Sequence, residues 1–168
     1  VDRASGCGSA EQPKGNASTL PQLEGFLFPE SQIPRATIQA YLETHYQVHG
    51  SMPASLKIGE HNATLDAIHR LNGVESSAFV TACNPFSEPL DEAANAYRQE
   101  MLAVELMRHG LPYIEGVGQH PSNAWSGEAS FLVLGVSVDA AKELGVRFKQ
   151  NAIVWAGGDA VPQLVLLR

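Results

Sequence analysis

From residue 33 onward the apolar positions recur in two periods, and the switches between them mark out the elements. In "IPRATIQAYLETHYQVHG" (33–50) Ile38, Tyr41, Leu42 and Val48 fall at helical spacing, with Pro34 at the start and Gly50 as a stop. That pattern predicts an amphipathic helix over 34–49. "SLKIGE" (55–60) alternates as a short strand, and "NATLDAIHRLNG" (62–73) reads as a short helix that Asn62 caps and Gly73 ends. "SAFVTA" (77–82) is a nearly all-apolar strand. A helix is predicted over 88–109, with Ser87 as its cap, Leu90, Ala94, Tyr97, Met101 and Val104 on its inward stripe, and Gly110 as its stop.

"PYIEGVG" (112–118) is a weaker strand, the loop "QHPSNAWSG" (119–127) follows, and "ASFLVLGV" (129–136) is a second strongly apolar strand. Ser137 can cap a helix whose Val138, Ala141, Leu144 and Phe148 face inward. "NAIVWA" (151–156) and "PQLVLLR" (162–168) are strands joined by "GGDAV", a hairpin signal. Residues 1–32 are rich in Gly, Ser, Pro and Gln and lack any period. They are expected to form a flexible N-terminal tail, with "FLF" (26–28) docking on a single domain over 33–168.

From residue 77 the order is strand, helix, strand, strand, helix, strand, then one further strand. The first six elements match a ferredoxin-like core of two interleaved split βαβ units. The expected fold is therefore α+β: a mostly antiparallel sheet with helices packed on it, extended by an N-terminal helix and a C-terminal β-hairpin. In that topology the first and third strands are central and should be the most apolar, as 77–82 and 129–136 are. The helices at 88–109 and 138–148 would cover one face, and the helix at 34–49 the other. Strand ends would then bring Asn84, Ser87, Asn95, Arg98, His120, Trp125, Glu128, Ser130, Gln150 and Asn151 to one rim.

Composition narrows the function classes. Hydrophobic residues make up 44% and charged residues 17% of the 168, a globular balance rather than a disordered one. The net charge is −7 and the 11 Lys and Arg are scattered singly, so a nucleic-acid partner is not expected. The longest apolar run, "FLVLGV" (131–136), is far below the roughly 20 residues of a membrane span, so no membrane partner is expected either. The first thirty residues lack a basic start followed by an apolar stretch, which predicts no signal peptide. The "NAS" (16–18) and "NAT" (62–64) sequons are then chance matches. Cys7 and Cys83 form no C-x-x-C; two free thiols suit a reducing cytoplasm, a disulfide between them being the alternative.

Each candidate residue has a local and a functional reading. At Asn84–Pro85–Phe86–Ser87 the local one is a turn followed by a helix cap. The functional one is a helix N-terminus offering free N–H groups, which Glu88, Asp91 and Glu92 restrict to a neutral rather than strongly anionic ligand. Asn95 is a poor interior helix residue, so it needs a partner, either a ligand or the 119–127 loop. Glu128 can act as a general acid or base at the mouth of a cleft, or can pair with Arg98 or accept backbone N–H bonds. Gln150 and Asn151 can read a ligand's donors and acceptors, or end a helix and start a strand. His45 and His49 lie one helical turn apart, but only His61 stands near as a third ligand, so no metal and no cofactor are expected. Trp155 reads as core, Trp125 as a candidate stacking surface. No phosphate loop, dinucleotide fingerprint or serine elbow is present.

"FVTACNPFSEPLDEAAN", "GEASFLVLG" and "FKQNAIVW" resemble a bacterial family of small proteins known only as a domain of unknown function, over about residues 33–168. The resemblance implies no activity, cofactor or catalytic residue. The family pattern favours an aromatic residue where Cys83 stands and glycine where Lys149 stands; the first argues against shared thiol chemistry. The leading expectation is a cytoplasmic binding module for a small neutral polar ligand or a peptide, using Asn84, Ser87, Asn95, Arg98, Glu128, Gln150 and Asn151. Two alternatives stand beside it: a small hydrolase- or transferase-type enzyme with Glu128 as acid/base and Ser87 or a bound water as nucleophile, and an interaction module acting through the tail or the edge strand 162–168.

Overall fold

A computed structural model describes residues 31–122 and 124–168. The expected tail with its "FLF" segment, and Cys7, lie outside them. Helix α1 (Arg35–Glu43) is followed directly by strand β1 (His45–Val48), then β2 (Ala54–Leu56) and helix α2 (Ala63–Asn72). Strand β3 (Ser77–Val80) leads through a single tight turn at Pro85–Ser87 into helix α3 (Glu92–Arg108). Strands β4 (Tyr113–Gln119) and β5 (Glu128–Leu134), helix α4 (Val138–Arg147), and strands β6 (Ala152–Ala156) and β7 (Gln163–Leu166) complete the chain.

The fold is α+β, with one seven-stranded antiparallel sheet in the order β2-β1-β4-β5-β3-β6-β7. β2 and β7 are its edges, and β6 and β7 form the expected C-terminal hairpin. Among the described residues no helix is long and apolar enough to cross a membrane.

Side-chain alternation divides the core. On one face Ala78 and Val80 of β3, with Phe131 and Val133 of β5, pack under Leu102 and Leu106 of α3 and Ala141 and Leu144 of α4. On the other, Phe79, Leu132, Leu134 and Val154 pack under Leu65 and Ile68 of α2. Each leucine or isoleucine so buried contributes about 1.5–3 kcal/mol relative to exposure.

Three helix expectations are corrected. The helix read over 34–49 ends at Glu43, because Thr44 turns extended (ψ 139°) and Tyr46 and Val48 then alternate inward as a strand between β2 and β4. The sheet's second face is accordingly capped by α2, not by a long first helix. Helix α3 starts four residues later than expected: Asp91, not Ser87, is its cap, accepting the Ala94 N–H at 2.7 Å. Its expected inward stripe is not the buried one: Leu90, Tyr97 and Val104 are exposed (Tyr97 62%) and Ala94 and Met101 half-buried, while Gln99, Leu102, Glu105 and Leu106 are buried. The polar pair inside is satisfied at its side-chain oxygens, while the Gln99 Nε2 amide has no hydrogen-bond partner among the described residues. Gln99 accepts the Ala82 N–H at 3.0 Å, and Glu105 is engaged by Arg147, Arg108 and His109.

Candidate functional site

Helix α2 covers only part of its face of the sheet. Beside it, α1 arches over the rest and leaves a cavity of about 390 Å³. Ala36, Thr37, Ala40 and Tyr41 line it from one face of α1, and Thr44 from just past its end. Its floor repeats every second residue, as a strand requires: Phe79 and Thr81, Glu128 and Ser130, Ala152 and Val154. Gly116 of β4 helps set that floor. A Cβ there would meet the Gln47 carbonyl and would lie 2.8 Å from the Phe79 ring.

Of the expected rim, Asn84, Ser87, His120, Trp125, Glu128, Ser130 and Gln150 line the cavity. The other three stand behind it and brace it. Asn95 exchanges two 2.8 Å hydrogen bonds with Asn84, donating from Nδ2 to the side-chain oxygen and accepting the backbone N–H. Its partner is thus the corner itself, not the 119–127 loop. Arg98 does not pair with Glu128; its guanidinium donates to the Ala82 carbonyl (2.7 Å) and the Phe148 carbonyl (2.6 Å), tying the end of β3 to the end of α4. Asn151 donates to Ser87 Oγ at 3.0 Å and to the Tyr41 hydroxyl at 3.2 Å.

The corner after β3 is strained. Asn84 (φ 45°), Phe86 (φ 54°) and Ser87 (φ 62°) all occupy the left-handed region, which costs a non-glycine residue about 1–2 kcal/mol. The Asn95 bonds hold it, as do the Leu90 N–H to Asn84 Oδ1 (2.9 Å) and the Phe86 N–H to the Lys149 carbonyl (2.7 Å). Arg168 lies over the Phe86 ring at 4.3 Å. Strain maintained by so many partners is characteristic of places where side-chain direction matters. The direction achieved here turns Asn84 and Ser87 to the cavity.

Glu128 is the carboxylate of the lining. Asn84 Nδ2 donates to its Oε1 at 2.6 Å, and Trp125 also hydrogen-bonds it. Burial nonetheless raises its pKa above the ordinary glutamate value, the two donors opposing the shift. Burial likewise raises the pKa of Tyr46, whose hydroxyl donates to the Tyr41 carbonyl. His120 hydrogen-bonds Glu43 at 3.0 Å. Gln150 donates to the Cys83 carbonyl at 3.0 Å. Cys83 is a free thiol kept protonated by burial, first among the influences on it, which suits packing rather than thiolate chemistry.

Ser87 shares a 2.6 Å hydrogen bond with Tyr41 and accepts from Asn151. Among the described residues no carboxylate or imidazole hydrogen-bonds it, so it is placed to bind rather than activated to attack. The helical spacing read for His45 and His49 does not exist, since His45 begins β1 and His49 follows it. Among the described residues no three His, Cys, Asp or Glu side chains gather as metal ligands.

Sequence reasoning missed the α1 wall and the floor residues Tyr46, Phe79 and Thr81. The signal for β1 is present in the alternation of "HYQV", but the helical spacing before it masks the change of period.

No curated protein and no solved structure matches the chain. A family of unknown function does, over a shorter stretch than the resemblance suggested. Residues 80–153, which hold the strained corner, α3, Glu128 and Asn151, match the family described as "Protein of unknown function (DUF3293)".

Proposed function

We propose that this protein is a binding module that takes a small, mostly neutral polar molecule into the cavity under α1. The observation that carries the reading is the cavity itself. Its volume of about 390 Å³ falls within the range of ligand pockets, roughly 300–1,000 Å³. Apolar floor residues meet a few convergent polar groups there, Asn84, Ser87, Glu128, Ser130 and Gln150, which is how such pockets combine affinity with orientation.

The accompanying reading of the fold is a ferredoxin-like split βαβ core. Its support is the central order β4-β5-β3-β6, with α3 crossing from β3 to β4 and α4 from β5 to β6. A bacterial cytoplasm is the setting we propose, a free Cys83 thiol being at home there. The net charge of −7 favours a small-molecule partner over a nucleic acid.

Plugging the cavity tests this. Ala40→Phe adds bulk to the cavity wall and removes no side-chain hydrogen bond. Native mass spectrometry of protein purified from cell extract should show a low-mass compound on the unsubstituted chain and none on the variant, with Tm nearly unchanged. Equal retention by both proteins would place the ligand elsewhere.

A further inference from the structure

Among the described residues Glu128 faces the cavity without a positive partner. Asn84 and Trp125 donate to it, and neither is charged. Among the described residues no Lys, Arg or His makes an ion pair with it, and the lining contains no Lys or Arg. The imidazole in the lining, His120, is engaged with Glu43. A carboxylate offers about four lone-pair directions, so acceptor capacity remains after the two donors are counted. Four aromatic side chains, Tyr41, Tyr46, Phe79 and Trp125, line the same cavity. Aromatic faces are electron-rich and favour a cation, while their bulk suits an apolar body.

We infer that the ligand of this cavity is a primary amine, its ammonium group hydrogen-bonded to Glu128 and its body against the aromatic walls. The inference rests on the cavity being a ligand site and names the class of molecule it takes. A primary ammonium is favoured over a quaternary one because it brings N–H donors to the open lone pairs, whereas a quaternary cation would leave them unpaired. An anionic ligand would meet Glu128 without a counter-charge. A single positive charge on an otherwise neutral body also answers the cost of holding a carboxylate partly out of water.

Three probes with a common indole body and different end groups test the assignment: tryptamine, tryptophol and indole-3-acetate, titrated calorimetrically at neutral pH into the full chain and into Glu128→Gln. A charge-assisted hydrogen bond to Glu128 should make tryptamine bind roughly tenfold or more tighter than tryptophol. Indole-3-acetate should bind weakest of the three. Glu128→Gln should bring tryptamine and tryptophol to similar affinity. Tryptophol matching tryptamine on the unsubstituted protein, or the preference surviving in Glu128→Gln, overturns the amine assignment and leaves the cavity as a ligand site. No binding of any probe at millimolar concentration overturns both. Should the variant fail to fold, the ranking of the three probes on the unsubstituted protein is decisive by itself.

Discussion

At Lys149 a single backbone angle sets which residue the position favours. Lys149 follows the last turn of α4 with φ 57°, and the Gln150 N–H reaches back to the Gly145 carbonyl at 2.8 Å. Helix α3 ends the same way, with Gly110 at φ 64° and the Leu111 N–H on the Leu106 carbonyl. Both are left-handed C-caps, and only α3 has the glycine that such a cap favours. The expectation of glycine at position 149 thus has a backbone basis in the left-handed φ of Lys149. Since the Lys149 side chain is largely solvent-facing and its backbone carbonyl would remain to receive the Phe86 N–H, Lys149→Gly should raise stability by up to about 1 kcal/mol. Urea denaturation should show a higher midpoint at unchanged slope; a lower midpoint would mean that Lys149 has a stabilising contact outweighing its backbone cost. At this scale the sequence is legible where chemistry is local, as in the Asn62 and Ser137 caps. It is not legible at Ser87, where a helix cap is expected and a strained hydroxyl facing Tyr41 is found.

Elements are legible where one period runs uninterrupted and obscure where two abut. β3, β5, α2, α4 and the β6–β7 hairpin stand close to where apolar pattern and turn residues put them. α1 and β1 read as one helix because Tyr41, Leu42 and Val48 satisfy a helix until pairing with β4 is known. The face of α3 is misjudged for a different reason: a hydrophobic stripe assumes that polar residues stay outside, and Gln99 and Glu105 are inside with their side-chain oxygens bonded to other elements, although Gln99 Nε2 has no partner among the described residues. Arg98 shows how much such cross-element bonds carry. It joins the carbonyls of Ala82 and Phe148, so Arg98→Met keeps much of the apolar stem but removes two charge-assisted bonds, leaving the Phe148 carbonyl only its 3.3 Å bond from Gln150 Nε2. The loss should be about 2–3 kcal/mol, the scale of hydrogen bonds made by a charged donor. Hydrogen exchange should then rise most at the end of β3 and the end of α4. A uniform rise across the sheet would show that Arg98 supports the whole fold and not this junction.

For the whole molecule, the candidate site has a signature in stability against pH. Glu128 has a pKa raised by burial, so the folded state holds its proton more tightly than the unfolded state. The neutral carboxyl's contribution is fully present below the unfolded value near 4.5 and is lost as pH rises through the raised folded value. At neutral pH, where the unfolded chain's carboxyl is ionised, burying Glu128 therefore opposes folding, a cost expected of a side chain kept for binding rather than packing. Tyr46 and Cys83, the ionisable neighbours that feel Glu128, both have pKa values raised by burial and stay neutral across this range. His69 works in the other direction: burial lowers its pKa, so stability falls as pH drops below the unfolded value near 6.5. That slope belongs equally to any variant that keeps His69 and cancels in a difference curve. Glu128→Gln should consequently have the higher Tm at pH 7. The gain should shrink as pH falls and vanish by about pH 4, where both side chains are uncharged. A variant less stable than the parent at pH 7 would mean that the ionised carboxylate holds the fold together, and a ligand would no longer be needed to account for Glu128 facing an open cavity.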